Sequence, residues 1–128
     1  MTTTYLDTSA AMRLLLEEPE SEALVQQLVT EPSRLVASWL LHTELHSAAG
    51  RNPAVFDLDD IQAVLETVTL VDVSRGDLLG AGTHSTLRSN DAIHLATALR
   101  LGVDEMLSYD AELLAAARRA GLAVLSPA

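Results

Sequence analysis

The order of hydrophobic runs in this chain implies a single α/β domain, with a central, mostly parallel sheet of about 4–5 strands flanked by helices. Short β-branched or apolar runs alternate with longer segments of helical period, the pattern that builds strand–helix–strand crossovers. The 128 residues, 48% of them apolar and spread along the whole chain, suffice for one core and are too few for two.

Thr3–Leu6 reads as the first strand, ended by Asp7 and Thr8. Ser9–Leu16 then reads as a helix, and Pro19 separates it from a second over Glu20–Val29. Arg34–Ser38 is the second strand, followed by a helix from Trp39 to Ala49 and a loop marked by Gly50, Asn52 and Pro53. Asp59–Glu66 is helical, and Val68–Val73 (VTLVDV) is the clearest strand. A helix over Arg75–Thr83 and a break at His84–Leu87 precede the strongest helix, Ser89–Leu101, stopped by Gly102. Met106–Tyr109 is a short strand, Ala111–Ala120 a helix ending at Gly121, and Leu122–Leu125 the last strand.

The composition excludes several functions. With no cysteine there is no disulfide, thiolate metal site or cysteine nucleophile. No apolar run approaches the ~18–20 residues that span a bilayer. No basic stretch precedes an apolar segment at the N-terminus, so a cytoplasmic location is expected. All eight basic residues are arginine. Without lysine, a phosphate-binding P-loop and a Schiff-base enzyme are both ruled out. A net charge of −10 argues against a stable nucleic-acid binder, but not against an enzyme that cuts nucleic acid transiently with a metal's charge. Acidic surfaces also attract basic partners.

Four carboxylates stand where the chain changes element or face inward on a helix: Asp7 in TTYLDTSA, Glu44 in SWLLHTELHSAA, Asp91 in LRSNDAIHLATAL and Asp110 in EMLSYDAEL. Asp7 and Asp110 each follow a strand, so both belong to the carboxyl edge of the sheet, where open parallel sheets bind ligands. Each could also simply cap the helix that follows. Glu44 shares its helix face with Leu40, Leu41, Ser47 and Ala48, with no arginine within one turn. A carboxylate on that stripe needs either a distant arginine or a cation. Asp91 lies in the first turn of the most apolar helix, with Ser89 or Asn90 as the expected cap, and favours the helix dipole there. Two carboxylates about 4 Å apart repel by roughly 4 kcal/mol at an effective dielectric near 20. If the four meet, Mg²⁺ or Mn²⁺ is the natural partner of the all-oxygen set.

Other groups give weaker signals. His42 and His46 share a helix face, but Glu44 points nearly opposite, so HTELH is not a zinc-protease helix and both histidines read as surface or partner-facing. His94 shares the face of Asp91 and reads as a packing residue. No GxSxG elbow supports a serine hydrolase. A phosphoacceptor receiver would need an acidic pair after the first strand and a lysine near the last. A DxD phosphatase would need Asp where Ser9 stands.

LDTSA after the first strand, an inward Glu after the second, RSNDAIHLATAL, and SYD after a later strand together resemble a PIN domain over residues 1–128. More narrowly, the chain resembles the VapC toxins of bacterial toxin–antitoxin pairs. The resemblance implies a Mg²⁺- or Mn²⁺-dependent endoribonuclease that forms a homodimer and is restrained by a cognate antitoxin; the net charge of −10 suits an antitoxin with a basic segment. By motif, Asp7, Glu44 and Asp91 match the family's acidic triad and Asp110 its fourth acid; all four are expected to serve the metal and the reaction. Ser9 matches a hydroxyl position near the first acid. Ser108 stands where threonine is commoner, and Arg88 and Arg13 are candidate phosphate contacts. The competing expectation is a non-catalytic PIN-like protein-binding module.

Overall fold

A computed structural model of the chain describes residues 1–128. The elements run β1 (Thr3–Leu6), α1 (Thr8–Leu15), α2 (Ser21–Thr30), β2 (Arg34–Ser38), α3 (Leu40–Arg51), α4 (Leu58–Glu66), β3 (Thr69–Val71), α5 (Arg75–Ala81), α6 (Ser89–Leu101), β4 (Glu105–Leu107), α7 (Ala111–Arg119) and β5 (Ala123–Leu125). The five strands form one sheet in the order β3-β2-β1-β4-β5. Every pair is parallel, with Tyr5 opposite Val36 on one side and Met106 on the other. The α/β expectation holds, and the sheet is wholly rather than mostly parallel.

Chain order reverses between β1 and β4, so this pair is the switch point of the sheet. Helices α1 to α4 pack on one another, as do α5 to α7, which leaves the sheet sandwiched between two helical layers. The core runs through the sheet, with Tyr5, Leu6, Leu41, Leu45, Leu95, Met106, Leu107 and Leu113 fully buried. Each such aliphatic side chain contributes about 1.5–3 kcal/mol. No helix is long and apolar enough to cross a membrane.

Some boundaries differ from expectation for identifiable reasons. The VTLVDV segment pairs only over Thr69–Val71, because β3 is an edge strand and its one neighbour, β2, ends at Ser38 opposite Val71. Gly50 lies inside α3 rather than in a loop; burial of Ala48 and Ala49 just before it outweighs a glycine cost of about 1 kcal/mol. Gly102 ends α6 with φ of 65°, a conformation that favours glycine. Neither Ser89 nor Asn90 caps α6, since Arg88 holds the cap position and makes no side-chain cap bond.

One buried charge locks α5 to α6. Asp77, 2% exposed, closes a capping box with Ser74 and receives Arg100 Nε at 2.7 Å and Nη2 at 2.9 Å. The Arg100 hydrogen bond holds the Asp77 carboxyl below its usual range against the effect of burial. Arg100→Ala is expected to cost about 2 kcal/mol in denaturant unfolding, below the usual loss for a broken buried pair because Arg100 is half in solvent. The stability that Asp77 supplies is present above the ordinary carboxylate pKa and is lost as pH falls through its lowered folded value.

Candidate active site

The residues that follow β1 and β4 are tied together at the switch point. The Asp7 amide donates to the Leu107 carbonyl at 3.2 Å. Asp7 caps α1 by accepting from the Ala10 amide at 3.0 Å, and Asp110 caps α7 by accepting from the Leu113 amide at 3.0 Å. The cap reading is therefore correct for both acids, and it leaves each carboxylate with further lone pairs. Ser9 donates to both Asp7 oxygens at 2.8 and 3.0 Å, and Ser108 donates to Oδ2 at 2.8 Å. Ser9 also accepts from the Tyr109 amide and Ser108 from the Asp110 amide, so the two hydroxyls stitch the segments together.

A polar cavity of about 460 Å³ opens at this edge, lined by Glu44, Arg88, Ser89, Asn90, Asp91 and Asp110. Asp7 is buried beside it, at 2% exposure. Four segments distant in sequence thus bring their acids to one place: the ends of β1 and β4, the middle of α3 and the first turn of α6. Arg88 reaches the cavity wall. Arg13 does not; it meets Glu20 at 3.4 Å, donates to the Ser9 carbonyl and lies over the Tyr109 ring. His42 and His46 stack on each other with ring centroids 4.1 Å apart on the outside of α3, away from the cavity.

The acids feel one another. Burial first, then the charges of Asp110, Asp7 and Glu44, push the Asp91 carboxyl up to about 6. Burial also pushes Asp7 up, against the bonds from Ala10, Ser108 and Ser9. Glu44 moves the other way: burial opposes its charge, but His94, bonded to the carboxylate, and then the Thr8 hydroxyl prevail and lower its pKa.

His94 was not legible as a site residue. Its ring is 1% exposed, which a packing role would also give, yet Nε2 lies 2.5 Å from Glu44 Oε1. Glu44 therefore has a partner that is neither a distant arginine nor a metal. The available signal was a lone polar residue on a helix otherwise apolar nearly all round, since buried polar groups require partners.

No three His, Asp or Glu side chains stand in a ready-made ligand set. The donor chemistry nevertheless fits a hard divalent cation. The four acids supply only oxygen donors, no lysine balances them, and after burial the neighbouring carboxylates add to the rise of Asp91, a repulsion that a cation would relieve.

Acidic groups gathered at the switch point of a parallel sheet define an α/β domain with an acidic pocket at its ligand-binding edge. The chain belongs to the PIN domain family, whose pattern it matches over residues 4–125. It is similar to Ribonuclease VapC46 of Mycobacterium tuberculosis, with 40% identity and 99% of each chain covered. Its fold is similar to that of VapBC2 from Rickettsia felis bound to a promoter DNA fragment. That pair has a TM-score of 0.78 at 12% identity, covering 99% of this chain and 100% of the other. A toxin–antitoxin complex from Klebsiella pneumoniae gives a TM-score of 0.73 at 20% identity, covering 98% of each chain.

Proposed function

We propose that this chain is a VapC-type endoribonuclease, the cytoplasmic toxin of a toxin–antitoxin pair, which hydrolyses RNA phosphodiesters with Mg²⁺ or Mn²⁺. The observation that carries the reading is the meeting of Asp7, Glu44, Asp91 and Asp110 at one sheet edge, with Asp91 raised to about 6 partly by the other three. A full-length relative named as a ribonuclease supports the choice of substrate.

Asp7, Asp91 and Asp110 would hold the cation, and Glu44 would complete the site directly or through water. Bound there, a divalent cation lowers the pKa of a water and stabilises the oxygen that leaves phosphorus. Glu44, kept ionised by its hydrogen bonds, accepts a hydrogen bond from the attacking water and orients it. Water oxygen forms the new P–O bond, a ribose oxygen leaves, and a proton ends on that oxygen. Ser9 and Ser108 act through Asp7 by fixing its carboxylate. Arg88, on the cavity wall, would meet a substrate phosphate. Arg88→Ala is expected to raise KM for RNA about tenfold with little change in kcat, and to shallow the salt dependence of binding by about one unit of log–log slope.

The partner reading follows from charge and surface. A net charge of −10 suits an antitoxin with a basic segment that covers the acidic edge. An apolar groove of about 400 Å³ between α2 and α4, walled by Val25, Leu28, Val29 and Val64, offers a protein partner further area. Homodimer formation is part of the same proposal. Incubating the purified protein with total cellular RNA in Mg²⁺, Mn²⁺ or EDTA tests the activity. Metal-dependent cutting at discrete sites is expected. A folded protein that cuts no RNA with either metal would favour the binding-module reading instead.

A further inference from the structure

A hydrogen-bond chain reaches Glu44 from the sheet, and its direction is fixed at the far end. The Ser38 amide at the end of β2 can only donate, and it donates to the Tyr5 hydroxyl at 3.1 Å. That hydroxyl has one proton and one other partner, His94 Nδ1 at 2.7 Å. The hydroxyl proton therefore goes to Nδ1, and the neutral imidazole carries its own proton on Nε2. Nε2 then donates to Glu44 Oε1 at 2.5 Å, and Thr8 Oγ1 donates to the same oxygen at 2.8 Å. Every member is satisfied, with no buried side-chain polar atom left without a partner. Tyr5 is fully buried and His94 1% exposed, so water does not compete with the chain.

We infer that His94 is a positioning residue for the active site: backbone of β2, acting through Tyr5, sets its tautomer, and His94 in turn fixes the Glu44 carboxylate toward the cavity. A glutamate has three rotatable side-chain bonds, and two donors on one oxygen remove most of that freedom. A misplaced Glu44 would meet both the cation and the water poorly. Outer partners that orient a metal-binding carboxylate commonly matter by about 10–100-fold in affinity or activity. The inference rests on the metal-site reading above.

The test compares the wild type with His94→Leu, His94→Gln and Tyr5→Phe. The readouts are Mn²⁺ binding by calorimetry, kcat and KM on RNA, and melting temperature. His94→Leu is expected to weaken Mn²⁺ binding about tenfold and to lower kcat with KM unchanged. His94→Gln restores an Nε2 donor and should stay within about threefold of wild type, while Tyr5→Phe should fall between the two. A purely structural histidine would lower the melting temperature of all three variants and leave the Mn²⁺ constant of the folded protein alone. A folded His94→Leu protein with wild-type Mn²⁺ affinity overturns the inference. Should that variant not fold, wild-type affinity in Tyr5→Phe, which loses only a hydroxyl, overturns it equally. A wild type that binds no Mn²⁺ overturns the metal reading and this inference together; normal wild-type binding with unaffected variants overturns this inference alone.

Discussion

Asp91→Asn is expected to abolish RNA cleavage and at the same time to stabilise the metal-free protein. The substitution deletes a carboxylate from the candidate cation set, and a loss on the order of 10³-fold, about 4 kcal/mol of activation free energy, is expected in kcat/KM. The amide is nearly isosteric, so the first turn of α6 keeps its place. The stabilisation follows because Asp91 is held at about 6, above its ordinary 3.8, by burial and by three neighbouring carboxylates. Those repulsions vanish with the charge, and melting at pH 7.5 should rise by a few degrees. Asp7→Asn should lose as much activity. Its stability is less favoured, because Ser9 and Ser108 both donate to the carboxylate it replaces. Activity and stability moving in opposite directions at one residue separates a functional acid from a capping one, since loss of a cap lowers both.

Metal and pH are expected to act on stability in opposition. A carboxyl raised in the folded state contributes stability that is fully present below its unfolded pKa and is lost as pH rises through its folded one. For Asp91 the window runs from 3.8 to about 6, and the upward shift of Asp7 adds in the same direction. Glu44, whose pKa is lowered, works the other way but only on the acid side of its ordinary 4.5. The EDTA-treated protein should therefore melt at a higher temperature at pH 5 than at pH 7.5. At the proposed site Mn²⁺ would bind the ionised carboxylates, so its effect should be large at pH 7.5 and small at pH 5. At about a hundred times its dissociation constant it contributes about 2.7 kcal/mol, or roughly 10 °C in melting temperature for a domain of this size. Thermal melts at the two pH values, with Mn²⁺ and with EDTA, check both signs.

Where local sequence pattern and tertiary environment agree, the elements were legible. β1, β2 and α6 have the expected limits, because turn residues or glycine close segments of clear period. The edge strand β3 was overread, since a run of valine and leucine does not reveal where its neighbour stops. Asp7 and Asp110 could be placed on one edge from the parallel order alone. Asp91 could not, because the dipole of α6 gives it a sufficient local reason to be where it is. The family resemblance supplied its place, and the cavity it shares with Glu44 and Asp110 gives that place a structural basis. The Glu44–His94 contact was out of reach residue by residue. Each side chain looked like a polar group on an apolar helix face, and only the fold shows that two such orphans, fifty positions apart, satisfy each other. Asp77 is a similar case: its pairing with Arg100 depends on how α5 crosses α6.

The most direct measurement is Mn²⁺ anomalous scattering from crystals of the wild type and of Asp91→Asn, each soaked in the metal. A peak enclosed by the carboxylates of Asp7, Asp91 and Asp110, with Glu44 in reach directly or through one water, and its loss in the variant, is the expected result. Full occupancy somewhere else on the molecule, or no bound metal in a wild type that cuts RNA, would contradict the assignment of these acids as a metal centre.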